Sequence, residues 1–144
     1  MIEKKHKKIS QTEKRAIENN IKSVLEKHPE IVFAYIHGSF AKREDFKDID
    51  VAVYLKDIPS SPLQYELALE TALMGAAPHY PVDVRMLNAS PLSFKYNVIK
   101  EGVLLMVRDD DLRTDFQEAT LASYFDFAPY RKMYLKETLV LGLK

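Results

Sequence analysis

The chain has 144 residues, 47% of them hydrophobic, and its 21 lysine and arginine residues balance 21 aspartate and glutamate residues. This length and apolar content predict one domain over residues 1–144, while the zero net charge argues against a broad nucleic-acid-binding surface. Cysteine is absent, which excludes disulfides and thiolate metal sites. We expect a cytoplasmic protein without membrane contact, because no apolar run approaches the roughly 20 residues that span a bilayer.

The N-terminal third predicts a frayed start, a helix and a strand. Residues 1–9 are mostly basic, which is typical of a solvated chain end. Apolar residues then recur at helical spacing, so we expect a helix that is capped by Ser10 or Thr12 and ends near His28, before a proline. The following run, IVFAYIHGSF, predicts a buried strand that enters a tight turn at Gly38.

Two later segments alternate as strands do. In DIDVAVYL one face holds Ile49, Val51, Val53 and Leu55, and the other holds Asp48, Asp50, Ala52 and Tyr54. In PVDVRML, Asp83 and Arg85 lie on the side opposite the apolar residues. One face of the sheet is therefore predicted to be core, and the other to carry acids.

The remaining segments complete a small α+β fold. We expect a helix over residues 62–77, a second over 91–101 that ends at Gly102, an apolar strand VLLMV, and C-terminal helices over 111–144 that Pro129 breaks or kinks. The order of elements predicts a small mixed sheet covered by helices. The strands of Gly38 and Asp48 should be antiparallel neighbours, because their connection is short.

The acids suggest metal chemistry. Carboxylates two residues apart on a strand lie about 7 Å from each other on one face, within reach of a shared cation. Magnesium prefers oxygen ligands and keeps waters and phosphate oxygens, so Asp48 and Asp50, with Asp83 as a third arm, predict a magnesium site for a nucleotide triphosphate. The alternative is structural, since an aspartate at a strand start often caps a turn.

The turn before the acids adds a phosphate-binding element. Gly38 permits a backbone shape closed to other residues, and Ser39 with the following amides can cradle phosphate oxygens. Lys42 and Arg43, together with Lys47, are cationic phosphate contacts or a solvated basic turn, and both readings stay open. His37 is either structural, which a histidine at a strand end favours, or a phosphate contact, and Arg85 either pairs with an acid, which we favour, or stabilises departing pyrophosphate. The aromatic residues of the tail are either core or a partner or dimer surface: Tyr124, Phe125, Phe127, Tyr130 and Tyr134.

The segment HGSFAKREDFKDIDVAVYL resembles the Gly-Ser, then Asp-x-Asp signature of the DNA polymerase β nucleotidyltransferase superfamily. It is most similar to its short branch, the minimal nucleotidyltransferase (MNT) proteins, which are antitoxin partners of HEPN-domain toxins. PVDVRML supplies the third aspartate, and the resemblance covers roughly residues 15 to 135. The chain departs from the family where Arg43 replaces a second glycine and Lys47 replaces a serine, in a connection about two residues shorter.

The resemblance implies a nucleotidyltransferase fold and an ATP-dependent reaction. Gly38 and Ser39 would hold the triphosphate, Asp48 and Asp50 would bind magnesium, with two ions expected, and Asp83 would assist activation of the acceptor hydroxyl. The implied reaction attaches AMP to a tyrosine of a HEPN-type toxin, as an antitoxin. The alternatives are an antitoxin that acts by contact with little or no catalysis, and nucleotidyl transfer to a small molecule. A homo-oligomer also stays open.

Overall fold

The computed structural model describes residues 9–42 and 46–142, and for 127–142 it describes the backbone alone. Within these ranges the strands are β1 (Ile31–His37), β2 (Ile49–Leu55), β3 (Val82–Met86) and β4 (Val103–Val107). The helices are α1 (Gln11–Glu26), α2 (Ser39–Lys42), α3 (Pro62–Leu73), α4 (Leu92–Glu101) and α5 (Asp110–Gly142). Short 3-10 turns, Met74–Ala76 and Leu87–Ala89, follow α3 and β3.

The four strands form one mixed sheet in the order β3-β2-β1-β4. β1 pairs antiparallel with both β2 and β4, whereas β2 and β3 run parallel. The parallel pair is joined through α3, as a parallel connection requires a crossover. The predicted α+β class, the mixed sheet and the antiparallel β1–β2 pair are all confirmed.

The main core lies between one face of the sheet and helices α1 and α3. The predicted apolar face of β2 is confirmed, since Ile49, Val51, Val53 and Leu55 are at most 1% exposed. They pack in one cluster with Ile21 and Leu25 of α1 and Leu69 and Leu73 of α3. Burial of such side chains contributes about 1.5–3 kcal/mol each.

The opposite face is not simply a face of acids, and this corrects the sequence prediction. Ala52 is fully buried there, and the Tyr54 ring stacks on Phe33 with centroids 4.8 Å apart. Phe94 of α4 and Phe116 of α5 cover this second cluster. The predicted alternation of β2 is correct, but α4 and α5 cover Ala52 and Tyr54 on the face that was predicted to carry acids.

The N-terminal helix begins as predicted. Ser10 is the N-cap of α1, and its hydroxyl accepts a hydrogen bond from the Glu13 amide while the Glu13 carboxylate accepts one from the Ser10 amide. Ile9 is 7% exposed and belongs to the main core, so assigning it to the frayed start was wrong. An apolar residue just before the cap packs down on the helix. The rest of that predicted start, residues 1–8, lies outside the described residues.

The C-terminal segment is one helix, not several. α5 runs from Asp110 to Gly142 without a break at Pro129. A proline within a helix removes one hydrogen bond and clashes with the preceding turn, and the helix can resume beyond that point. The predicted break is therefore wrong.

Of the two tail aromatic residues whose side chains are described, one packs on α4 and the other is exposed. Tyr124 stacks on Tyr96 of α4, with ring centroids 3.7 Å apart, and so joins α5 to α4. Phe125 is 58% exposed, which excludes the core for this residue and leaves the alternative of a partner or dimer surface open. The side chains of Phe127, Tyr130 and Tyr134 lie outside the described residues.

The outer edge of β3 is closed by two glutamates of α3. The Val84 amide donates to Glu70 at 2.9 Å, and the Met86 amide donates to Glu66 at 2.8 Å. These amides are the ones that β3 does not offer to β2, and an edge strand needs such partners. The strand that carries Asp83 is thus fixed on both sides.

Among the helices of the described ranges, none has the length and apolar character needed to cross a membrane.

Candidate active site

Three adjacent strands bring His37, Asp50 and Asp83 into one row. His37 of β1 is the pairing partner of Asp50 of β2, and Asp50 is the partner of Asp83 of β3. Asp48 precedes β2 at the same end of the sheet and is partly buried, while the Asp83 side chain is 52% exposed. The sheet therefore brings the three predicted acids to one end.

The turn after β1 touches this row directly. Gly38 has φ +75°, and a Cβ at this position would overlap Oδ2 of Asp50 and lie 3.2 Å from its Cγ. α2 begins at Ser39, and the Ala41 amide donates to the Gly38 carbonyl at 3.2 Å. Glycine is therefore required twice, for its backbone shape and for the close approach of a carboxylate. The predicted tight turn lies against the predicted acids.

The charges in the row oppose one another. Burial, then the nearby carboxylates of Asp48 and Asp83, raise the pKa of Asp50 to about 6, and Arg85 offsets part of the rise. Burial also lowers the pKa of His37, whose Nε2 is buried and has no hydrogen-bond partner among the described residues. Like charges directly across a strand pair are destabilising. A cation at this position would relieve the repulsion between the carboxylates.

The donor set fits a hard cation. Among the residues that the structure describes, no three carboxylate or histidine side chains form a closed metal cage. Magnesium does not require one, because it is usually held by one or two carboxylates, waters and substrate phosphates. Asp48, Asp50 and Asp83 offer only oxygen donors, and the pKa of Asp50 is raised first by burial and then by the other two carboxylates, whose charge such an ion would offset.

The predicted cations are arranged differently from one another. Lys42 forms an ion pair with Glu101 at the end of α4, so its ammonium group is engaged by protein. Lys47 is exposed, and Arg43 lies outside the described residues. Nε of Arg85 lies 3.9 Å from Oδ2 of Asp83, which confirms pairing with an acid, and its guanidinium carbon lies 5.5 Å from the centre of the Phe94 ring.

Comparisons with known proteins identify the family. The sequence profile described as "Polymerase beta, Nucleotidyltransferase" matches residues 19–111, about two thirds of the chain, which includes the turn and all three acids. The chain belongs to the polymerase beta nucleotidyltransferase family. No curated protein sequence gives a significant match to this nucleotidyltransferase.

Solved structures similar to this nucleotidyltransferase come from toxin–antitoxin complexes. A chain of the MntA–HepT complex superposes with a TM-score of 0.69 at 21% identity, over 87% of this chain and 98% of that one. A chain from the complex of tri-AMPylated Shewanella oneidensis HEPN toxin with MNT antitoxin superposes with a TM-score of 0.70 at 21% identity, over 88% of this chain and 98% of that one. A chain from a toxin–antitoxin structure with AMP-PNP superposes with a TM-score of 0.70 at 22% identity, over 85% of this chain and 98% of that one. The predicted nucleotidyltransferase fold is confirmed.

Sequence reasoning missed several side chains that support the site of this nucleotidyltransferase. Phe94 of α4 contacts both His37, with ring centroids 5.3 Å apart, and Arg85. Beneath the turn, the Phe46 ring packs between Phe40 and Tyr80, at 4.5 and 4.6 Å. The sequence could have indicated the α3 glutamates that bind β3, because they are four residues apart on a helix that is followed by an edge strand. The aromatic contacts had none, because they join distant segments.

Proposed function

We propose that this nucleotidyltransferase transfers AMP from ATP to a tyrosine hydroxyl of a HEPN-type toxin and so acts as an antitoxin. The observation that carries the proposal is the contact of the Gly38 turn with the Asp50 carboxylate, because it joins a phosphate-binding element to the acids. One of the similar solved structures holds a tri-AMPylated HEPN toxin with an MNT antitoxin, and another is a toxin–antitoxin with AMP-PNP. Since the nucleotide is ATP, we also propose the cytoplasm as the place of the reaction.

The proposed roles of the acids are those that the family resemblance implies, and the position of all three at one end of the sheet supports them. Asp48 and Asp50 would hold magnesium, which when bound lowers the pKa of the attacking hydroxyl and offsets charge on the phosphates. Ser39 and the amides of the turn orient the outer phosphates. The acceptor oxygen bonds to the α-phosphorus, the bond to the bridging oxygen of pyrophosphate breaks, and pyrophosphate leaves. The half-exposed Asp83 carboxylate accepts the proton from the acceptor hydroxyl.

The experiment is transfer of label from α-labelled ATP, with magnesium, onto the HEPN-domain partner co-purified with the chain from its native host. The parent should label a partner tyrosine, and Asp48→Asn/Asp50→Asn should not. Asp57→Asn is the matched control, because Asp57 is an exposed aspartate beyond the opposite end of β2. Its label should equal that of the parent.

Two other outcomes would replace this proposal. A stable complex without label, with toxicity neutralised equally well by the double Asn variant in cells, would identify an antitoxin that acts by contact. Label that appears on a small molecule and never on the partner would identify a small-molecule nucleotidyltransferase. In both cases the protein adenylylation reading would be wrong.

A further inference from the structure

Arg85 is a cation of the site face whose guanidinium has an ion-pair contact with Asp83 but makes no hydrogen bond to the described residues. Its distance of 3.9 Å from Asp83 is too long for a hydrogen bond, and its side chain is 52% exposed. Within the part of the chain that the structure describes, its guanidinium donates no hydrogen bond. By contrast, Lys42 is engaged by Glu101. Arg85 therefore has donors available for a ligand.

The side chain is nevertheless held in place. Its guanidinium lies over the Phe94 ring, which also packs against the second core cluster and contacts the His37 ring at 5.3 Å. The planar guanidinium presents its N–H groups as a fork, which matches two oxygens of one phosphate. An arginine fixed in this way loses little conformational entropy on binding.

The sheet order gives the direction from which a ligand would reach it. The Gly38 turn follows β1, Asp50 lies on β2, and Arg85 lies on β3, two residues beyond Asp83 on the same face and opposite Ala52. Two strand spacings separate β1 from β3, about 10 Å. The turn and Arg85 are thus on opposite sides of the β2 strand that carries Asp50.

We infer that Arg85 binds the α-phosphate of the nucleotide, on the side of β2 opposite the Gly38 turn. The inference rests on the proposed function, in which the outer phosphates lie at the turn and the α-phosphate lies over the acids. A triphosphate held in that way extends toward β3, where the guanidinium of Arg85 meets the end that carries the nucleoside. Arg85 then also holds the phosphate that the acceptor attacks.

The test measures three affinities by calorimetry, using magnesium alone, inorganic pyrophosphate with magnesium, and α,β-methylene-ATP with magnesium. Arg85→Met should bind the nucleotide about tenfold more weakly, as expected for the loss of a charge-assisted pair of hydrogen bonds. Its affinity for pyrophosphate should stay within about twofold, and magnesium alone should bind equally or more tightly because a nearby positive charge is gone. Arg85→Lys keeps the charge without the fork and should show an intermediate loss.

Lys56→Met is the matched control, since Lys56 is an exposed cation just beyond the far end of β2. It should leave all three affinities unchanged. Equal nucleotide affinity in Arg85→Met and the parent would overturn the inference, as would an equal loss for pyrophosphate, which would show a general effect of charge. A parent that binds none of the three probes would instead refute the proposed function and the inference with it. Unfolding midpoints of all variants exclude loss of fold as the cause.

Discussion

The two ends of the β2–β3 strand pair are built in opposite ways. At the end that carries the site, Asp50 is paired with Asp83, two like charges across neighbouring strands. At the other end, the Asn88 side chain accepts a hydrogen bond from the Leu55 amide at 2.9 Å and donates one to the Leu55 carbonyl at 2.8 Å. One end is electrostatically repulsive, and the other satisfies both backbone groups with a single side chain.

The contrast extends to the surroundings of each end. Near Leu55, the Lys56 amide donates to the Glu30 carbonyl at 2.9 Å, and the Tyr65 hydroxyl donates to the Glu30 carboxylate at 2.6 Å. Near Asp50, by comparison, the described structure has a buried His37 nitrogen without a partner and a glycine at positive φ. A buried polar atom without a partner and repelling charges both lower stability, and local conflicts of this kind are concentrated at functional sites. The hydrogen bonds at the Leu55 end stabilise the β2–β3 strand pair, and the Asp50 end is arranged to bind a charged ligand.

The largest expected effect is at the turn. Gly38→Ala places a Cβ against the Asp50 carboxylate and requires an alanine at φ +75°. Displacement of a reacting group by about 1 Å costs about 100-fold in rate, and we expect at least that loss of label transfer. Gly75→Ala is the matched control, because a Cβ there meets no heavy atom within 4 Å. Comparable activity of the two variants would show that the contact of Gly38 with Asp50 has no role.

The next effect is on stability at the far end. Asn88→Ala removes both hydrogen bonds to Leu55 and leaves its backbone groups without these partners, which costs about 2 kcal/mol of unfolding free energy in urea. Transfer activity below the unfolding transition should be unchanged. Asn19→Ala, at an exposed position of α1, controls for the substitution itself. Loss of activity at full stability would contradict the separation of the two ends.

The repulsion between Asp50 and Asp83 predicts a smaller effect on stability, in which a substitution stabilises the protein. Because the pKa of Asp50 is raised to about 6, folding favours its protonated form, so this contribution to stability is complete below pH 3.8 and is lost as the pH rises through about 6. Without metal, Asp50→Asn should therefore be more stable than the parent above pH 6, by about 1 kcal/mol once solvent screening of the half-exposed carboxyl is included. Thermal unfolding in chelator at several pH values measures it.

Asp57→Asn serves as the control for that measurement, since it changes an exposed aspartate at the far end. It should show no such pH-dependent gain. If Asp50→Asn were less stable than the parent above pH 6, the row would be stabilising without a cation, and the repulsion between Asp50 and Asp83 would not exist in the folded protein.

Local patterns were enough to predict the acids and the turn. Two-residue alternation assigned Asp50 and Asp83 to one side of their strands, and the Gly-Ser pair marked the turn against them. At Pro129 a break or a kink was expected, and the break is wrong because the α5 backbone is helical on both sides of the proline. Residue periodicity therefore predicted correctly which side chains share a face of a strand, but a proline alone did not predict where a helix ends.

Long-range contacts were beyond the reach of the sequence. The ion pair of Lys42 with Glu101 joins residues 59 positions apart, and the Asn88 contact with Leu55 joins residues 33 apart. The cover over Ala52 also comes from α4 and α5, far along the chain. Such contacts depend on how helices pack on the sheet, which alternation within one strand does not encode.

The smallest expected effect concerns Lys42 and decides between the two readings of the basic turn. Glu101→Gln removes the carboxylate that engages Lys42, and both side chains are about half exposed, so the unfolding midpoint should not change measurably. If Lys42 is a phosphate contact, its release should tighten binding of α,β-methylene-ATP with magnesium about twofold at low salt, less at high salt. We expect this gain, with Glu118→Gln on α5 as the exposed control. Unchanged affinity would leave the turn as a solvated basic segment, and phosphate binding would then rest on the backbone of Gly38 and Ser39.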